Sequence, residues 1–118
     1  MDAPPLSIVH LCAPAHVGGL ERVVQGLAGE QRRQGHAVRV VAVVEPGADV
    51  SAFIDPLLAD EVTVEVLVLP GRAYLREIRL IRRKLAEWSP DVLHTHGYRP
   101  DLLHGWSARS RGVATVST

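Results

Sequence analysis

Two histidines, His94 and His96, stand two residues apart in the short apolar segment Asp91–His96. In an extended strand that spacing points both rings to one face. Three chemistries suit such a pair: a metal site, a hydrogen-bonded structural pair, or a polar group at the mouth of a binding site. A metal site needs third and fourth ligands at good geometry. His10, His16 and His104 are the other imidazoles considered, and the sequence fixes no distance to any of them, so no metal is expected. His94 reads as a hydrogen-bonded structural residue. His96, at the end of the segment beside Gly97, is the better site candidate, and Tyr98 and Arg99 follow it. A guanidinium at position 99 suits a phosphate or carboxylate, or plain solvent.

A second candidate lies near the N-terminus. Gly18-Gly19 falls between a strand-like segment and a helix-like one, after Ala13-Pro14-Ala15-His16-Val17. Glycines let a backbone approach a ligand closely, and the free N–H groups of a helix start favour an anion. The alternative is a turn that needs positive φ. The pair matches neither G-x-G-x-x-G nor G-x-x-x-x-G-K-[ST], which argues against nicotinamide and ATP chemistry. Glu21 falls in the first helical turn, where a carboxylate complements the helix dipole, and it reads as structural.

A third feature is electrostatic. Arg72, Arg76, Arg79 and Arg83 form a stripe opposite the apolar face of a segment, Arg72–Trp88, whose net charge is +4. The plain reading is a solvated helix face; the sharper one is attraction to an anionic membrane surface, at the inner face of the membrane.

The elements that must hold these groups are legible. Apolar segments Leu6–Cys12, Ala37–Val44, Val62–Leu69, Asp91–His96 and Val113–Thr118 start 31, 25, 29 and 22 residues apart, near the period of a βαβ unit. The second is almost wholly apolar, as a strand covered on both faces should be. The third alternates, Val62, Val64 and Val66 against Thr63 and Glu65, and suits a sheet edge. Between them, Leu20, Val23, Val24, Leu27 and Gln31 keep helical spacing up to a stop at Gly35. A shorter helix is predicted over Ser51–Ala59, distorted or divided by Pro56. Tyr74, Ile78, Ile81, Leu85 and Trp88 mark a long helix ended by Ser89-Pro90, and Pro100–Arg111 a last one.

The expected fold is α/β: a Rossmann-like doubly wound parallel sheet, five strands in the order 3-2-1-4-5, incomplete at the C-terminus. The first two helices belong on one face and the next two on the other.

Composition narrows the function. The chain has 118 residues, 47% hydrophobic and 22% charged, and its 13 basic side chains balance 13 acidic ones. That balance gives no global case for a nucleic-acid partner. Cys12 is alone, so no disulfide framework or cysteine zinc site arises. No basic leader with a long apolar run opens the sequence, and no stretch is apolar enough to span a membrane. A cytoplasmic protein, at most peripheral to the membrane, is expected.

Pro14-Ala15-His16-Val17-Gly18-Gly19-Leu20-Glu21-Arg22-Val23-Val24, Gly35-His36-Ala37-Val38 and Pro90-Asp91-Val92-Leu93-His94-Thr95-His96-Gly97, in this order and spacing, resemble the N-terminal domain of family 4 glycosyltransferases of the GT-B fold. The resemblance runs from Leu6 to Thr118. It implies a retaining transferase, working without a metal or other cofactor, that moves a sugar from a nucleotide-sugar donor to an acceptor in a cleft between two Rossmann-like domains. By it, Gly18 and Gly19 lie near the donor diphosphate, and His16, His96, Gly97, Tyr98 and Arg99 are acceptor-side candidates. The family's histidine after the fifth strand, and its donor-binding C-terminal domain, have no counterpart up to Thr118. The expectation is therefore a partial N-terminal domain over 1–118, inactive alone, whose partner is a C-terminal domain or a second chain. The alternatives are a non-catalytic interaction module, a subunit of a split enzyme, and a small nucleotide binder acting alone. Coding sequence beyond Thr118 distinguishes them: a second βα domain there favours the enzyme.

Overall fold

A computed structural model describes residues 4–14, 18–70, 74–97 and 114–117. Along the chain run β1 (Ser7–Cys12), α1 (Gly19–Arg33), β2 (Ala37–Val44), α2 (Ser51–Ala59), β3 (Thr63–Val68), α3 (Tyr74–Trp88), β4 (Val92–His96) and β5 (Ala114–Ser117). The five strands form one sheet in the order β3-β2-β1-β4-β5, and every pairing is parallel. This is the expected doubly wound order, with the third strand at an edge; its wet face does not follow the expected alternation, since Val66 is exposed and Leu67, on the opposite face, is buried against the α3 side of the core. The segment Pro100–Arg111 lies outside the described residues.

Alternation along the strands divides the core between two faces. Val9, Leu11, Val41, Val43 and Leu93 meet Ile78, Ile81 and Leu85 of α3 on one side. Val38, Val40, Ala42 and Val44 meet Val24 and Ala28 of α1 and Phe53 and Leu57 of α2 on the other. The first two helices thus share a face and α3 takes the opposite one. Burial of β2 on both sides follows from its near-continuous valine run.

Three local details differ from, or sharpen, the sequence reading. The buried side of α1 carries Val24 and Ala28, while Val23 and Leu27 are exposed. With Val24 and Ala28 turned to the sheet, Val23 and Leu27 lie about 100° round the helix from them and face outward. Second, α2 is continuous from Ser51 to Ala59 with Pro56 inside it. Proline has no N–H for the Ala52 carbonyl, and Gln25 Nε2 of α1 donates to that oxygen at 3.3 Å and to Phe53 O at 3.0 Å. A neighbouring helix supplies the donor that the proline removed, so the helix is neither divided nor left with a bare carbonyl. Third, α1 closes as expected at Gly35, whose φ of +94° only glycine adopts readily, with His36 N donating to Gln31 O at 3.1 Å.

Among the described residues no helix is long and apolar enough to cross a membrane. The stripe on α3 is in place: Arg76, Arg79 and Arg83 are exposed, and so is Leu75 beside them. Arg72 lies outside the described residues.

Candidate functional site

Parallel α/β sheets place ligands beyond the carboxyl ends of their strands, where the strand order reverses. Here that point lies between β1 and β4, adjacent in the sheet with Cys12 paired to His96. Two segments meet above it. Gly97 follows β4 with φ +62°, and a Cβ on it would lie 3.7 Å from Leu20 Cδ2 in the first turn of α1.

The glycine pair opens α1. Gly18 is its N-cap with φ −135° and ψ −154°, and Gly19 is its first residue. Neither has positive φ, so the turn does not demand glycine at either position. A Cβ added at Gly19 would meet none of the described residues within 4 Å. Among the described residues, glycine thus leaves the front of the helix N-terminus open. Part of that terminus is already used: Glu21 Oε1 accepts the Gly18 N–H at 3.0 Å, and Glu21 is 8% exposed. Glu21 is the structural cap that its place in the first turn suggested.

Beneath this rim lies a cluster of three imidazoles. The β1–β4 register sets His10 opposite His94. His10, His94 and His96 therefore share the sheet face that α1 covers. His10 Nε2 lies 2.7 Å from Gln31 Oε1, an oxygen that only accepts, so this nitrogen carries the proton. His10 Nδ1 is then an acceptor, and His96 Nε2 donates to it at 2.9 Å. His94 stacks on His96 with ring centroids 4.0 Å apart and planes at 18°. His10 and His96 are buried, and His94 is partly so.

Burial disfavours the charged form of all three rings. It is the first cause of the lowered pKa of His10, where the His94 charge adds to it against the Gln31 hydrogen bond. For His94 it is the cause. His96 is pushed down to about 4 by burial, then by the His94 and His10 charges. Cys12, next on the same face, is buried and its thiol is pushed up to about 12 by burial and then by Glu21.

The structure thus brings Leu20, the residue after Gly19, to Gly97 and buries the His96 ring. His16, Tyr98 and Arg99 lie outside the described residues. His10 and Gln31 are the members that the sequence reading did not assemble. The available signal was a histidine at an alternate position in a strand otherwise apolar. A separate cleft of about 530 Å³, lined by Ser7, His36, Arg39 and Trp88 among others, opens at the opposite, amino ends of the strands, away from the switch point.

Sheet order, crossover faces and an open helix N-terminus at the switch point define a Rossmann-like α/β domain. The model of Glycosyltransferase Family 4 matches residues 17–118, and the chain belongs to that family. A crystallised glycosyltransferase from Rickettsia africae is similar over 95% of this chain, at 16% identity and a TM-score of 0.68; the chain spans 29% of that protein's length. The C-terminal domain of a hydrogenase from Pyrococcus furiosus is similar at 17% identity and a TM-score of 0.66, over 99% of this chain and 96% of that one. At such identities the likeness is one of fold, shared by proteins of different activity. A search of curated protein sequences gave no match.

Proposed function

We propose that this chain is the acceptor-side N-terminal portion of a retaining glycosyltransferase that transfers a sugar from a nucleotide-sugar donor to an acceptor. Membership of Glycosyltransferase Family 4 supports the transferase class. The observation that carries the reading is Gly19, a glycine without positive φ at the start of α1 whose added Cβ would meet no described residue within 4 Å, next to Leu20, which approaches Gly97. In this reading the free N–H groups of the first turn meet the donor diphosphate and stabilise the charge that develops as it departs. The acceptor enters past the end of β4, beside Gly97; His16, Tyr98 and Arg99 are the further acceptor-side candidates that the family resemblance implies. The ring of His96 supports the rim from below.

Donor contacts of this kind come from one side only, so the reading requires a second, donor-holding domain or chain and makes the 118 residues inactive by themselves. We also propose that the exposed arginines of α3 meet an anionic membrane surface. A second reading, a subunit of a split enzyme, draws on β5, where Ala114, Thr115 and Val116 are exposed.

The test is Gly19→Val in the active assembly. Valine at a helical φ, its Cβ clear of the described residues, leaves the melting temperature unchanged within about a degree or two. It fills the diphosphate position and lowers kcat/KM for the donor at least tenfold. Unchanged kinetics would reduce the loop to a turn and remove the proposal's main support.

A further inference from the structure

His10, His94 and His96 present their ring nitrogens within 4.8 Å of one another. They do so on one sheet face, beneath the rim rather than in it, and the transferase reading gives these nitrogens no chemistry. We propose that this cluster is a binding site for a divalent transition-metal cation, Zn²⁺ foremost, held by three imidazoles. The inference stands independently of the transferase reading.

Zn²⁺ binds imidazole at about 2.0–2.1 Å, which in tetrahedral geometry sets ligand nitrogens roughly 3.4 Å apart. His10 Nδ1 and His96 Nε2 are already 2.9 Å apart, held by a hydrogen bond between them. Entry of the cation replaces that hydrogen bond: His96 carries its proton on Nδ1 instead of Nε2, both rings stay neutral, and each turns a lone pair to the ion. His94 needs the larger adjustment. Its plane lies at 18° to that of His96, and lone pairs of stacked rings run side by side instead of converging. A turn of the His94 ring about χ2 breaks the stack and brings one nitrogen to the ion. His94 is also the cluster's partly exposed member, so the cation enters from its side.

The surroundings fit a metal-bound histidine. Gln31 Oε1 accepts a hydrogen bond from His10 Nε2–H at 2.7 Å and so fixes Nδ1 as the nitrogen facing the cluster. An outer hydrogen bond of this kind orients metal-ligating histidines generally. The donor set is imidazole alone, with no carboxylate among the three. That set suits Zn²⁺, Co²⁺, Ni²⁺ and Cu²⁺, and leaves out the hard cations Mg²⁺ and Ca²⁺. Three protein ligands leave a fourth position for water.

The experiment titrates the chelator-treated chain with ZnCl₂ by calorimetry and thermal melting, and with CoCl₂ by visible absorption. One equivalent is expected to bind, Co²⁺ giving the intense d–d bands of a four-coordinate ion. At a hundredfold excess of Zn²⁺ over Kd, the unfolding constant falls about 100-fold. His10 is fully buried, so its replacement tests packing as much as ligation; His94 and Gln31 are the informative positions. His94→Gln should abolish the Co²⁺ bands, and Gln31→Leu should weaken Zn²⁺ binding about 10–100-fold. His36→Gln, at the far end of the sheet, and the double variant His16→Gln, His104→Gln should bind as the parent does. Absence of stoichiometric uptake overturns the proposal. So does binding that survives both His94→Gln and Gln31→Leu, or that disappears in the His16, His104 double variant.

Discussion

Three imidazoles in mutual contact and largely out of water determine how the metal-free protein meets acid. All three have folded-state pKa values below the ordinary 6.5, His96 at about 4. An unfolded chain takes up protons on these rings as the pH falls through about 6.5, whereas the folded chain resists until much lower pH. The unfolded state then binds more protons, so stability falls as the pH falls. The stabilising contribution is full above about pH 7 and is lost progressively from 6.5 towards 4. The His94 charge bears on His10, the His94 and His10 charges bear on His96, and the α1 partner of His10, Gln31, is neutral. Urea midpoints taken in chelator should therefore fall steeply across that window, and less steeply in His94→Gln. A flat profile between pH 7 and 4.5 would contradict the burial that the geometry describes. The sequence made two of the three rings legible, because a spacing of two in a strand fixes a shared face. The third comes from a strand 84 residues earlier in register, His10 against His94, and only the sheet order brings it there. Glu21 was legible for a simpler reason, since a carboxylate in a first helical turn has a local role.

At the scale of elements, local pattern and tertiary contact part company at Pro56. Proline within nine residues of helix predicts a break, and the break is absent because Gln25 reaches across from α1. Position 25 carries no sequence signal for this, since any exposed helical position accepts glutamine. Gln25→Ala should cost about 1 kcal/mol in urea unfolding, the ordinary net worth of such a hydrogen bond. In a Pro56→Ala background the Ala52 carbonyl regains its own helical donor, and the same change should cost less. A coupling of about 0.5 kcal/mol or more between the two sites is expected; strict additivity would show that the glutamine does not substitute for the missing N–H. On α3 the apolar stripe was legible in Ile78, Ile81 and Leu85, which are buried as their spacing requires, and Trp88 is partly buried. The opposite stripe follows from the same geometry, with Arg76, Arg79 and Arg83 exposed. Each basic residue near an anionic bilayer contributes about 1 kcal/mol. Their combined replacement by glutamine should therefore reduce sedimentation with anionic vesicles about 100-fold at low salt. Equal sedimentation of the parent with neutral and anionic vesicles would refute membrane attraction.

For the whole molecule, the parallel sheet and its switch point followed from four strand–helix periods and from crossovers of one hand, which is why the order β3-β2-β1-β4-β5 could be anticipated. What such a period does not carry is the strength of the site it builds. A helix N-terminus presents roughly half a positive charge, worth about 0.3–1 kcal/mol to an exposed anion and up to about 2 in a partly buried geometry. In α1 the buried Glu21 carboxylate already lies in that first turn and takes the Gly18 N–H, so the dipole left for a diphosphate is weaker still. A millimolar complex needs roughly 4 kcal/mol. The described part of the site falls short of that, and a donor gripped from this side alone should bind more weakly than about 1 mM. NMR titration of the isolated chain with a nucleoside diphosphate should accordingly give shifts confined to Gly18–Glu21 and Gly97 that do not saturate at millimolar ligand, and nucleotide-sugars should give no transfer above the blank. Micromolar saturation, or turnover of any donor, would mean that this chain holds a complete donor site and would replace the acceptor-side reading with that of a self-sufficient nucleotide binder.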